Sequence, residues 1–158
     1  MSVAFTKEGD SESVAADLPD RPISPHPNLV TAEGLAALEL AYGEARAAYA
    51  AAQAKGDVQA DRTAMARATR DLRYYGARRA SAQLVEPAHG ETVVFGRRIT
   101  IERTDGRQQS YRIVGEDEAD PAKGSISYIS PLARALMGKG LGDTAVVAGG
   151  EVEIVGLE

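Results

Sequence analysis

The spacing of the hydrophobic residues changes near Pro87, and that change constrains the fold more than any other feature of the chain. From Thr31 onward, Leu35, Leu38, Tyr42, Ala45, Tyr49 and Ala52 recur at alternating intervals of three and four residues, the seam of an amphipathic helix packed in a coiled coil. Thr31 is placed to cap that helix, with Glu33 favourable in its first turn. Gly56-Asp57 breaks the run. A second stripe follows through Met65, Ala68, Leu72, Tyr75 and Ala82, with Arg79 in a slot that leucine would fill better. Each stripe is the natural partner of the other. The spacing therefore predicts an antiparallel hairpin over residues 30–86, with a small alanine seam, close approach and a free length that projects as an arm. A globular helical bundle is disfavoured, because no third helix of comparable length remains to cover these two.

Beyond Pro87 the period is strand-like: Val93-Val94-Phe95, Ile99-Thr100-Ile101, Tyr111 to Val114, Ile126 to Ile129, Ala145 to Val147 and Val152 to Val155 are short β candidates. Asp105-Gly106 and Gly149-Gly150 stand where tight hairpin turns are needed. Ser130-Pro131 reads as a helix cap followed by a first-turn proline, opening a short helix through Met137 that Gly138 ends. The fold class expected is α+β, a helical hairpin followed at residues 87–158 by a small antiparallel β domain with one short helix. The first 29 residues, acidic and holding four of the seven prolines, read as an extended or mobile tail.

Charge is unevenly placed. Overall the chain carries a formal −5, which argues against a protein that coats DNA, yet residues 58–85 hold six basic and two acidic groups, and all six cations are arginines. Within that run Arg67, Arg70 and Arg73 are candidates for a basic face near nucleic acid, whether nascent RNA or DNA; a solvated helix face is the other reading of the same residues. With no cysteine the chain has no disulfide, thiolate nucleophile or thiolate metal site, and no apolar run approaches the roughly 20 residues that span a bilayer. A cytoplasmic protein is expected, with no membrane partner.

No set of residues suggests catalysis or a metal site within the chain. Glu116, Asp117, Glu118 and Asp120 lack the spacing, Gly turn and distal Glu of a calcium loop, and read as a solvated acidic loop. His26 and His89 are isolated, and Gly138-Lys139-Gly140 lacks the Ser/Thr and glycine-rich lead of a phosphate loop. No nucleophile, base and acid stand together.

The motifs Val93-Val-Phe-Gly96, Gln109-Ser-Tyr-Arg-Ile-Val-Gly-Glu-Asp-Glu-Ala-Asp120, Ile126-Ser-Tyr-Ile-Ser-Pro-Leu-Ala-Arg-Ala-Leu-Met-Gly-Lys139, Gly142-Asp143 and Gly149-Gly-Glu-Val-Glu153 follow one another in a fixed order. In that order they resemble the C-terminal, FKBP-like domain of the bacterial GreA/GreB transcription elongation factors. The resemblance covers Val93 to Glu158 and continues more weakly through the hairpin, where Gly34, Gly56-Asp57 and Ala82-Gln83 have counterparts. It implies a ligand of RNA polymerase that docks its β domain at the rim of the secondary channel, with Ser130, Pro131 and Leu132 as docking candidates, and sends its hairpin toward the active site. Such a factor is not an enzyme and has no cofactor of its own; acids at the hairpin tip can assist Mg²⁺ held by the polymerase, which itself cuts backtracked RNA. An FKBP-like fold does not by itself imply prolyl isomerase activity.

At the tip the chain departs from the family. Asp57 is in register, but where the family has Glu three residues on, this chain has Ala60, and Asp61 is displaced by one residue and so rotated by about 100° on a helix. Each arm also lacks roughly a heptad, shortening its reach by on the order of 10 Å. Asp57 and Asp61 are the tip candidates all the same; they also suit the cap and first turn of a helix. The expectation is a Gre-type elongation regulator with weak or no cleavage stimulation. An active cleavage factor and a Gre-domain protein of the nucleoside diphosphate kinase regulator type are the alternatives.

Overall fold

The computed structural model of the chain describes residues 18–54 and 62–158. These divide into two compact units: one formed by residues 37–81 with the N-terminal segment up to Pro27, the other by residues 28–36 and 82–158.

Alternation of apolar and polar residues builds the core of the second unit. Its sheet contains β3 (Arg98–Arg103), β4 (Gln108–Val114), β5 (Ser125–Ser127), β6 (Thr144–Val147) and β7 (Gly150–Leu157) in the order β5-β4-β3-β7-β6. Ile99 and Ile101 from β3, Ile113 from β4, and Val152 and Ile154 from β7 turn inward and are essentially inaccessible. Complete burial of such side chains stabilises by about 1.5–3 kcal/mol each. The outward residues between them are polar or half-exposed, and Thr100 hydrogen-bonds Ser110 directly across the β3–β4 ladder at 2.8 Å. The short helix α3 (Pro131–Leu136) covers the inner face with Ala133 and Leu136, both fully buried. As expected, Ser130 caps it, Pro131 opens it, and Gly138 at φ 85° lets the chain leave it.

Two details of this unit were not anticipated. The pair β4–β5 runs parallel, with Arg112 opposite Ser125 and Val114 opposite Ser127, so the sheet is not wholly antiparallel. Ten residues must then carry the chain back from one end of β4 to the other, and Glu116 to Asp120 lie in that crossover. Val93-Val94-Phe95 is not a strand. Val93 is instead anchored to the turn after α3, its N–H donating to Lys139 O at 2.7 Å and its carbonyl accepting from Gly138 N at 2.9 Å. A two-residue parallel ladder, β1 (Leu29–Val30) with β2 (Gln83–Leu84), completes the unit and ties together the segments that enter and leave the hairpin.

In the first unit, helix α1 (Ala32–Ala54) and helix α2 (Arg62–Ser81) form the hairpin. The first turn of α1 belongs to the other unit. Leu38, Ala45 and Ala52, a heptad apart, are the buried residues of α1 within this unit, with Tyr42 and Tyr49 half-buried between them, which is the seam expected from the sequence. Gly76 of α2 lies against the Tyr42 ring, where a Cβ would sit 3.4 Å from Cε2. On α2 the expected stripe is off by one position near its end: Arg78 is buried to 2% exposure, while Arg79 is exposed and rests over the Tyr42 ring at 4.9 Å. Helical phase explains this, because positions three and four after Tyr75 both lie near its face, and here the third, Arg78, is the one turned inward. The turn carrying Asp57 and Asp61 lies outside the described residues, as does the tail up to Asp17. No helix of the described residues is long and apolar enough to cross a membrane.

Candidate functional site

The β unit presents one concave apolar surface beside the start of α3. Ser130, Pro131 and Leu132 line it together with Val146, Val147 and Ala148 from the end of β6, and Ile126 and Arg103 complete a cavity of about 450 Å³. All three sequence candidates for docking are therefore brought into one place. Their roles differ: Ser130 Oγ accepts from Ala133 N at 3.3 Å as a helix cap, Pro131 is exposed, and Leu132 is half-buried against the core. Val146, 81% exposed on the edge strand, contributes an apolar side chain to this surface. Sequence reasoning missed Val146 because alternation in β6 marks it as outward, and an outward valine does not reveal what lies beside it.

The acidic crossover is not simply solvated. Glu118 accepts hydrogen bonds from Thr31 Oγ1 through both carboxylate oxygens, each at 2.7 Å, and Thr31 Oγ1 in turn accepts from Gly34 N at 3.0 Å. Thr31 thus caps α1 as expected, while the carboxylate behind it complements the positive end of the helix. Arg112 of β4 reaches Glu33 at 3.4 Å. Hydrogen bonds from its own backbone N–H and from Arg112 hold the Glu33 carboxyl below its ordinary pKa. Nothing in the acidic run distinguishes Glu118 from its neighbours, so the latch emerges only when the crossover folds back on residues 28–36. Among the described residues no group of three His, Asp or Glu side chains is arranged to hold a metal ion.

On the hairpin, the three basic candidates meet different fates. Arg73 pairs with Asp20 of the N-terminal segment at 3.2 Å, and Arg70 lies 3.6 Å from Asp71 on its own helix. Arg67 is exposed and has no carboxylate partner among the described residues. Next to them Tyr74 and Tyr75 form an edge-to-face pair with centroids 5.2 Å apart, and the Arg21 guanidinium stacks 3.8 Å above the Tyr74 ring. Its hydrogen bond with Tyr75 raises the Arg21 pKa further above its ordinary value. The tip candidates Asp57 and Asp61 are not among the described residues.

Residues 87–157 match the family model for the C-terminal domain of the transcription elongation factors GreA and GreB. Among curated relatives, the transcription elongation factor GreA of Desulfovibrio desulfuricans is 39% identical over 94 residues, 58% of this chain and 57% of that protein. GreA of Anaeromyxobacter sp. (strain K) is 49% identical over 79 residues, 47% of this chain and 48% of that protein. The chain thus spans about half the length of the curated relatives it matches. Among solved structures, GreA factor homolog 1 of Thermus thermophilus aligns with 84% of this chain and 99% of that one at 20% identity, with a TM-score of 0.40. The stretch that holds the α3 groove, residues 87–157, thus matches the C-terminal domain of the GreA/GreB family.

Proposed function

We propose that the protein is a Gre-type regulator of transcription elongation that docks on RNA polymerase at the secondary channel through the groove at the start of α3, and that stimulates transcript cleavage weakly or not at all. The observation that carries the docking half is the convergence of Ser130, Pro131 and Leu132 with the exposed Val146 in one apolar concavity of the family-matched domain. An exposed apolar concavity of this kind gains free energy when a partner covers it and removes it from water.

The second half rests on the tip. Metal coordination tolerates only fractions of an ångström, and a lone in-register Asp57 with Ala60 beside it does not supply the carboxylate pair of the family pattern. The arginines of α2 would bring the hairpin close to nucleic acid in the channel, and the protein would act as a regulator or as a competitor of cleavage factors. Any RNA hydrolysis would remain the polymerase's own, with its own Mg²⁺.

Core RNA polymerase should retain the protein in a pull-down, and failure to do so would defeat the docking reading. Added with Mg²⁺ to a backtracked elongation complex, the protein should leave the transcript essentially its original length. Robust shortening that is lost in Asp57→Ala or Asp61→Ala would instead establish an active cleavage factor.

A further inference from the structure

The N-terminal segment touches α2 through Asp20 and Arg21, whose contacts are reciprocal. Asp20 pairs with Arg73, Arg21 approaches Asp71 at 3.7 Å, and the flat Arg21 guanidinium covers the Tyr74 ring. The segment opposes a carboxylate to a cation, and a planar cation to a ring and a carboxylate. It has few conformations to lose on settling there, because Pro19, Pro22, Pro25 and Pro27 each fix a backbone angle.

We propose that this segment is an intramolecular cover for the basic and aromatic face of α2, holding the positions that a phosphate and a base of single-stranded nucleic acid would take. The Asp20 carboxylate sits on Arg73 as a phosphate oxygen would, and the Arg21 guanidinium lies on Tyr74 as a stacked base would. Arg67, about two turns before Tyr74 on nearly the same line of the helix, is left open to extend the cationic track. An acidic protein surface would satisfy the arginines but has no use for the ring face that Arg21 covers, which is why the pairing of Arg73 with Tyr74 favours a nucleic acid strand. The cover lowers affinity for such a strand by the fraction of time it is seated, and a strand entering at high local concentration displaces it. This inference rests on the reading that α2 meets nucleic acid, and goes beyond it in assigning the N-terminal segment as the regulator of that contact.

The test uses the full chain and a fluorescent single-stranded oligouridine, with binding followed by anisotropy over a range of salt concentrations. The double variant Asp20→Ala/Arg21→Ala removes one charge of each sign, so the net charge is unchanged and any gain cannot come from bulk electrostatics. It should bind roughly five- to tenfold more tightly than the wild type, and adding Tyr74→Leu or Arg73→Gln should each remove that gain. Far-UV circular dichroism of each variant reports whether the helices remain. Equal or weaker binding by the double variant would overturn the cover while leaving the nucleic-acid reading of α2 standing. No binding by either protein at low salt would overturn that reading, and the cover with it. A gain that survives both Tyr74→Leu and Arg73→Gln would overturn the assignment of the covered site.

Discussion

Gly115 has no room for a side chain: a Cβ there would stand 2.2 Å from the Leu29 carbonyl oxygen, a backbone atom fixed in the β1–β2 ladder. Gly115→Ala should therefore lower stability by about 1–3 kcal/mol, read as a reduced urea midpoint, because backbone rather than a side-chain end must move. Thr31 answers to a different cause. Its hydroxyl both caps α1 and satisfies Glu118, so Thr31→Val should cost about 1–2 kcal/mol in the same measurement by leaving a helix N–H and a half-buried carboxylate without it. Titration adds a smaller effect. Glu33 has its pKa lowered on folding from an ordinary value near 4.5, so its contribution is present above that value and is lost as pH falls through the lowered one. Glu33→Gln should leave the protein less stable at pH 7 by at most about 0.5 kcal/mol, an exposed pair's worth, and the difference from wild type should shrink as pH falls through the lowered pKa. At this scale Thr31 and Glu33 were legible as the start of a helix, since capping is local. Glu118 and Gly115 were not, because what each touches lies far away in sequence.

Among the elements, the hairpin has an unusual weakness in its alanine seam. Ala41, Ala45, Ala48, Ala64 and Ala68 line an open groove of about 340 Å³ between α1 and α2. Close packing normally leaves little such space, and an exposed alanine at its edge can be enlarged without forcing its neighbours apart. Ala48→Leu should stabilise the hairpin by about 0.5–1 kcal/mol, seen as a higher melting temperature by circular dichroism, whereas a seam already filled would show a loss. The heptad spacing of Leu38, Ala45 and Ala52 made the buried face of α1 readable in advance. The inward turn of Arg78 in place of Arg79 was not, since neighbouring arginines differ in phase and not in type. Strand periodicity likewise identified β3, β4, β6 and β7, but it could not give the direction of β5. Parallel and antiparallel pairing present the same alternation, and the choice depends on how the crossover runs.

For the molecule as a whole, the groove beside α3 is where the proposed docking on polymerase is tested. Val146→Glu places a charge at a position already 81% exposed, so domain stability should change by no more than about 0.5 kcal/mol, while retention on core RNA polymerase should fall roughly tenfold or more. Unchanged retention would move the dock elsewhere on the domain. By itself the sequence determined the division into a helical hairpin and a β domain, the seam of α1, the cap and stop of α3, and the family motifs, because period, capping and turn chemistry act within a few residues along the chain. Only the tertiary structure decided that Val146 joins Ser130, Pro131 and Leu132 in one cavity, that Glu118 serves the start of α1, and that Asp20 and Arg21 lie on α2. Each of these brings together residues well apart in sequence, and contacts of that kind are set by the path of the chain through space, which no local pattern records.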